Sequence, residues 1–349
     1  MKSLVSILIP AYNAETWIAD TIRSALRQIW PNKEVIVVDD GSRDQTLSRA
    51  RQFASKNVSV VTQENQGASA ARNRAFELCQ GDYIQWLDAD DLLSPDKIAK
   101  QMAAAEESQD KLGLFSCAWG YFMFRPSRAR FSPTQLWCDL SPIEWLLRKW
   151  EHNLHMQTAT WLVSRELTEA AGPWDTRLTL NDDGEYFCRV LLASNGVRFI
   201  TDAKVFYRIG DFSRLSYAGR STKKLEARLV DMKLQIRYLR ALEDSERVRA
   251  ACRNHLQTWF IYFYPEQVAL VNELKQLAAT LGGQLEIPRL SWKYAWMQKV
   301  FGWTVAKRAW QYYPRWKSSA MRSWDKAFFY LERQNLATRA GGCGMKSAI

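Results

Sequence analysis

Four short apolar runs, each closed by a polar cluster and separated from the next by helical spacing, leave this chain few folds to choose from. The runs are Val5-Ser6-Ile7-Leu8-Ile9, Glu34-Val35-Ile36-Val37-Val38, Val58 to Thr62, and a fourth that opens at Tyr83 and ends at Asp88. Between them, Glu15 to Ile29 places Trp17, Ile18, Ile22, Ala25, Leu26 and Ile29 at helical spacing. Asp44 is positioned to cap a helix through Phe53, and Ala68 to Cys79 repeats the pattern. Strand and helix alternating four times gives right-handed βαβ units and an α/β fold with a mostly parallel sheet flanked by helices. Ligands of such sheets bind at the carboxyl ends of the strands. There the chain sets Tyr12-Asn13, Asp39-Asp40 and Asp88-Ala89-Asp90, with Arg72 and Asn73 on the helix before the fourth strand.

The run Asp88-Ala89-Asp90-Asp91 brings three carboxylates into four residues, a costly arrangement unless a positive charge sits among them. In extended backbone Asp88 and Asp90 point the same way and could share one cation. Oxygen-only ligands suit Mg2+ or Mn2+. A solvated acidic turn leading to the helix entry Ser94-Pro95-Asp96 accounts for the spacing equally well, and only the convergence of three strand ends tips the balance. Neither GxGxxG nor GxxxxGK[ST] occurs, so dinucleotide and P-loop nucleotide binding find no support.

The segments SILIPAYNAETWI, VVDDGSRDQT, NQGASAARNRA and GDYIQWLDADD, in this order and spacing, resemble the family 2 inverting glycosyltransferases of the GT-A fold. The resemblance extends from about Val5 to about Ser216 and includes WDTRLTLNDDGEYFCRVLL, which is similar to the family's acidic segment ahead of a final Arg. It implies transfer of a sugar from a nucleotide diphosphate, with UDP the expected nucleotide, to a hydroxyl of a glycan or a lipid-linked saccharide. It further implies that Pro10 and Tyr12 line the base pocket and that Asp40, ahead of Asp39, accepts from the pyrimidine N3–H. Arg72 would reach the donor, Asp88 would hold ribose or metal, and Asp90 would ligate the Mn2+ or Mg2+. Asp183 matches the catalytic base, with Asp182 where relatives carry Glu. Relatives often place a metal-binding His after their Tyr-Arg pair. Tyr207-Arg208-Ile209-Gly210-Asp211 has none, so a third protein ligand is missing from the pattern.

Plainer roles compete for several of these residues. Asp39 can serve the Gly41-Ser42 turn, Asp182 can cap the helix beginning near Asp183, and Arg72 can be an ordinary ion-pair partner. Trp86, Trp119, Tyr121 and Phe122 read as core; His152 and His155 read as structural or acceptor-facing. A scaffold that binds sugar or lipid without turnover is the alternative from another class. The complete set Asp40, Asp88, Asp90 and Asp183 argues against it. A nucleotidyltransferase would show a glycine-rich loop after the first strand, and PAYNAETW has no glycine.

Beyond the resemblance, Ser221 to Arg249 reads as one amphipathic helix, another covers Ala250 to Tyr264, and helical signal resumes until Gly282-Gly283. These boundaries divide the chain into a transferase domain, 1–216, and a helical C-terminal region, 217–349. The net charge of +11 gathers in the second part: residues 286–339 hold eleven Lys/Arg, three acids and six Trp. That composition suits peripheral contact with a membrane surface and also a solvated helical appendage. No nucleic-acid module is recognisable. Six cysteines, at 79, 117, 138, 188, 252 and 343, form no CxxC pair, and no apolar stretch reaches the roughly 20 residues of a membrane span. With no signal-like apolar core at the N-terminus, the expected location is cytoplasmic, with contact at the inner face of the membrane.

Overall fold

The computed structural model describes residues 2–209, 221–310 and 322–331. Residues 210–216 of the resemblance, Cys343, and Arg315, Trp316, Lys317, Arg333 and Arg339 of the basic stretch lie outside them.

The four expected strands are β1 (Val5–Ala11), β2 (Lys33–Asp39), β3 (Val58–Thr62) and β4 (Tyr83–Trp86). They pair in parallel in the order β3-β2-β1-β4. β1 outruns its expected end. Its pairing with β4 stops at Leu8↔Trp86, whereas pairing with β2 continues to Ala11↔Asp39. Leu8 gives its carbonyl to Leu87, so Pro10, two residues on, turns its missing N–H toward the flank that β4 has left. A proline is tolerated there, and the strand carries Tyr12 one step further out.

The helices between these strands are α1 (Ile18–Leu26), α2 (Thr46–Arg51) and α3 (Ala68–Leu78). α2 is shorter than expected, but Asp44 does serve its start, accepting from the backbone N–H of Thr46 at 2.9 Å. Next come β5 (Leu92–Leu93), α4 (Lys97–Ser108), β6 (Gly113–Phe122), β7 (Arg130–Phe131), α5 (Pro142–Glu151), β8 (Leu162–Ser164), α6 (Arg165–Ala171), α7 (Asp182–Ala193) and β9 (Gly196–Arg208). β8 lies antiparallel to β4 and to β6, and β5 antiparallel to β9, so the sheet is parallel on one side and mixed on the other. Trp86 is 1% exposed, as its alternation predicts, and meets Trp174 and Tyr186 edge-on.

The region after residue 216 departs from the expected pattern. The helices expected over Ser221 to Arg249 and Ala250 to Tyr264 are α8 (Thr222–Leu242) and α9 (Glu246–Phe263); the break between them falls earlier than expected because Ser245 caps the second by accepting from the N–H of Val248. α8 packs on α7, α9 on α5, and α10 (Val268–Thr280) on both α8 and α9. One compact unit therefore comprises Met1–Gly120, Phe131–Tyr207 and Leu215–Pro288, and its edge falls after Pro288 instead of at 216. The second unit comprises Tyr121–Arg130, Arg208–Arg214 and Arg289–Ile349. Inside it, Asp325 accepts from Arg125 Nε at 2.7 Å and from the N–H of Phe124 at 2.9 Å. Its helix α11 (Trp292–Phe301) buries no residue. Among the described residues no helix is long and apolar enough to cross a membrane.

Lys97, at the start of α4, is fully buried, and its Nζ donates to Gln85 Oε1. Burial drives the ammonium down to about 7. An unfolded lysine stays protonated to about 10.4, so between these values the unfolded chain binds the extra proton and stability rises with pH. Relative to Lys97→Met, the wild type should gain on the order of a few kcal/mol between pH 7 and pH 10 in urea unfolding. A difference that stays constant across that range would contradict a desolvated ammonium at this position.

Candidate active site

The loops after β1 and β2 are laced together before any ligand is considered. Asn13, at φ 48°, donates its N–H to Ser42 Oγ at 3.0 Å and accepts from the N–H of Arg43 at 2.9 Å. Tyr12 beside it is 46% exposed, the geometry required of a ring that stacks on a ligand. Pro10 is partly exposed at the same edge.

The adjacent aspartates divide their tasks differently from the expectation. Asp40 is 2% exposed and accepts four hydrogen bonds from 63–67: from Gln63 Nε2 (2.8 Å), Asn65 Nδ2 (3.1 Å), and the N–H groups of Gln66 (3.0 Å) and Gly67 (2.8 Å). Both its oxygens are committed to shaping that loop. Gly67, at φ 94°, then turns the chain into α3. Asp39 does serve the turn, accepting from Ser42 N–H at 3.3 Å and Thr62 Oγ1 at 3.0 Å through Oδ2. Its Oδ1, however, is buried without a donor among the described residues. The open acceptor of the pair belongs to Asp39, the reverse of the order the resemblance implies.

Around Arg72 the remaining carboxylates come together. α3 presents Ser69, Arg72 and Asn73 on one face, as i, i+3, i+4 spacing dictates. Asn73 grips the backbone of Trp174 from both sides, donating to its carbonyl at 2.9 Å and accepting from its N–H at 2.8 Å. Trp174 stacks on Tyr186, ring centroids 3.9 Å apart, and the Arg72 guanidinium lies 4.3 Å over its ring. From there Arg72 Nη2 reaches Asp88 at 2.9 Å and Nη1 reaches Asp182 at 2.6 Å. Ser69 Oγ adds a 3.1 Å bond to Asp182. Arg72 is thus the positive charge that the acidic cluster requires, and both its terminal nitrogens are spent on carboxylates in this state. Burial raises the Asp182 carboxyl, and Arg72 opposes that shift. Asp182 does not cap α7: Asn181 stands there, at φ 59°.

Asp88 and Asp90 do not lie in extended backbone. The N–H of Asp91 returns to the carbonyl of Asp88 at 3.1 Å, closing a turn that leaves Asp88 and Asp90 partly exposed and buries Asp91. Asp91 accepts from Gln157 Nε2 at 2.5 Å. Next to Gln157, Thr158 Oγ1 donates to Asp183 Oδ2 at 3.4 Å. The two acidic segments are therefore tied twice, through Arg72 and through 157–158. Among the described residues no cluster of three His, Cys, Asp or Glu gathers at metal-binding distance. Two hard carboxylates still fit Mg2+ or Mn2+, which fill their remaining positions with water and substrate phosphate.

Asp183 lies in the first turn of α7, accepting from the N–H of Gly184 at 2.9 Å. Asn181 tucks its side chain against Gly184, where a Cβ would come within 2.0 Å of Asn181 Nδ2, and donates to Asp231 of α8 at 2.9 Å. Asp231 pairs with Arg228 at 2.8 Å, one turn back on the same helix. Beyond Asp183 opens a cavity of about 250 Å³, lined among others by Lys149, His155, Arg228, His255 and Trp259. His155 lines this cavity, its ring edge-on to Trp119 at 5.6 Å. Ser69, Gln157, Thr158, Asn181, Arg228 and Asp231 have no counterpart in the sequence reading. Only Ser69, three residues before Arg72 on one helix, was findable from spacing.

Residues 6–160 match the glycosyl transferase family 2. The match takes in less than half of the chain and marks residues 6–160 as a glycosyl transferase family 2 domain. Its relatives include TuaG of Bacillus subtilis, named for teichuronic acid biosynthesis, 41% identical over 123 residues that cover 34% of this chain and 46% of TuaG. Another is the Escherichia coli UDP-Glc:alpha-D-GlcNAc-diphosphoundecaprenol beta-1,3-glucosyltransferase WfgD, 39% identical over 101 residues, 29% of this chain and 40% of WfgD. The chain spans less than half the length of either relative. Among solved structures, Staphylococcus aureus TarS 1–349 in complex with UDP superposes with a TM-score of 0.59 at 17% identity, covering 89% of this chain and 91% of that one. At that identity the likeness concerns the fold, the mixed sheet with helices expected of GT-A.

Replacing Arg72 with Met should expose how far the acidic cluster depends on it. Stranding two partners of a buried pair costs roughly 3–5 kcal/mol, and the lower end is expected because Asp88 is a third exposed. With the Asp182 carboxyl already held above its usual range by burial, and its opposing arginine gone, the variant should regain part of the loss as pH falls from 7 to 5. Guanidinium melts at both values measure this; a loss that deepens on acidification contradicts the arrangement.

Proposed function

We propose that this chain is a metal-dependent inverting glycosyltransferase that uses a UDP-sugar and a saccharide acceptor. The observation that carries this reading is the pairing of Asp88 and Asp182 on one arginine, which sets Asp183 beside the exposed acidic turn. TarS structures contain UDP and UDP-GlcNAc, which supports a nucleotide sugar in the same fold.

The chemistry follows from what lies where. Tyr12 offers its exposed face to the base, and Asp39 offers the unpaired acceptor. Asp183 takes the proton of the attacking hydroxyl as its oxygen bonds to the anomeric carbon. The bond from that carbon to the diphosphate breaks on the opposite face, and its electron pair leaves with UDP. One base suffices because no sugar–enzyme bond forms. A divalent cation held by Asp88 and Asp90 would supply charge neutralisation at the departing diphosphate. Thr158 holds the Asp183 carboxylate in place, and the Asn181–Gly184 contact fixes the turn that presents it.

With Mn2+ or Mg2+ present, a panel of UDP-, GDP- and dTDP-sugars should show turnover of a UDP-sugar, including slow hydrolysis without acceptor. Asp183→Asn should keep UDP affinity and lose transfer by about 10²–10⁴-fold, the usual worth of general base catalysis. Near-normal transfer by that variant removes Asp183 from the role, and no turnover on any donor removes the reading.

A second part of the proposal concerns α11, as the face of a peripheral contact with anionic lipid. Trp292 is 81% exposed, Trp296 58% and Val300 67%, one turn apart in sequence, with Lys293 and Lys299 alongside. Amphipathic rings flanked by cations match a headgroup layer, each cation contributing about 1 kcal/mol. The chain should sediment with phosphatidylglycerol vesicles at low salt and release at high salt. Replacing both Trp292 and Trp296 with Gln should abolish sedimentation; unchanged sedimentation would assign the contact elsewhere.

A further inference from the structure

The cavity beyond Asp183 is lined by nitrogens that find no partner among the described residues. Its walls are aromatic, with Trp145, Trp150, Trp161 and Trp259 around it. Into that surrounding the chain places three nitrogen-bearing side chains that its own residues leave incomplete. Arg228 is 2% exposed; it lies 3.7 Å over the Trp259 ring and pairs with Asp231 through Nη1, yet its Nε has no hydrogen-bond partner among the described residues. His255 is 6% exposed and stacks on Trp150 at 4.8 Å, and its Nε2 is likewise without a partner. Lys149 makes no hydrogen bond or ion pair among the described residues through its Nζ, which lies 5.6 Å from the Trp145 ring. Asp231 already balances Arg228. Asp183 is turned to Thr158 and the N–H of Gly184, beyond ion-pair distance of Lys149. An ammonium between tryptophans with no counter-ion in contact costs free energy that a bound anion would return.

We propose that this cavity is an acceptor subsite for a saccharide residue that carries an anionic substituent, a carboxylate or a phosphate monoester. Its charge is met by Lys149 and the Arg228–His255 corner, its ring rests on the tryptophans, and its hydroxyl is held at Asp183. The assignment rests on the reading of Asp183 as the base. Lys149 is then a specificity residue, since a neutral sugar of equal size gains the aromatic surface but leaves the ammonium unmatched. At about 30 Å³ per water, the volume corresponds to roughly eight waters, enough for one pyranose and its substituent and not for a longer segment.

Saturation-transfer NMR on the full chain tests this with glucuronic acid, glucose 6-phosphate and methyl β-glucoside, each with and without UDP. At least one anionic sugar should bind tenfold or more tighter than the glucoside, the better of the two naming the substituent, and UDP should not displace it. Lys149→Met should remove that preference and leave glucoside binding unchanged, whereas Lys149→Arg should retain it. Equal binding of all three sugars, an unaltered preference in Lys149→Met, or displacement by UDP overturns the assignment. Hydrolysis of a UDP-sugar, followed in the wild type and in Lys149→Met, separates the two proposals. Hydrolysis by a wild type that shows no charge preference overturns the subsite alone. Hydrolysis absent from the wild type, with a Lys149-dependent preference intact, overturns the transferase reading and leaves an anionic-sugar site.

Discussion

A single buried guanidinium makes the acidic edge of this sheet possible. Asp88, Asp90, Asp91, Asp182 and Asp183 converge from two distant segments, and like charges at such range would drive the segments apart or force protons onto them. Arg72 resolves this from below, clamped against Trp174 and forked between one carboxylate of each segment. A lysine could not do the same, because the task needs two divergent donors in a fixed plane. Much of the surrounding packing keeps that plane in position: Asn73 fixes the Trp174 backbone, and Tyr186 and Trp86 close on its ring.

The second constraint comes from the C-terminal helices, which belong to the machinery as much as the sheet does. Asn181 adopts a left-handed conformation at the start of α7, and its side chain is held by Asp231 of α8. The acidic turn that carries Asp183 is therefore defined from two sides, by α3 through Asp182 and by α8 through Asn181. α5 and α9 complete the wall beyond it with Trp150 and His255 stacked together.

The parallel core was readable because its physics is local. Apolar runs of strand length, helical spacing and turn residues each act within a few positions, and β3 and α3 fall where those signals put them. Long-range partnerships left no such trace. Nothing local says that Asp40 is consumed by 63–67 while Asp39 keeps an oxygen open, since the two residues are adjacent and alike. Asp88 and Asp90 looked extended because the strand signal runs into them, but the Asp91 N–H folds the segment back. The helix read through Arg249 broke at Ser245, where a capping hydroxyl outweighs a continuing apolar period. Arg228 and Asp231 sit inside α8 among leucines, and a charged pair on an apolar face is a signal that periodicity counting discards.

The carboxylate turn after β4 and the cavity floor are encoded in different parts of the chain. The matched domain ends at residue 160, and Asn181, Arg228, His255 and Trp259 all follow it. Because α8 and α9 meet the rest of the unit mainly through α5 and α7, their inward side chains can change without disturbing the strand ends that hold Tyr12, Asp39 and Asp88. Such a layout lets one half of the site stay fixed while the other is rewritten. Lineages of this chain can exchange the helical floor as a cassette, changing what the cavity admits at little risk to the strand-end half already in place.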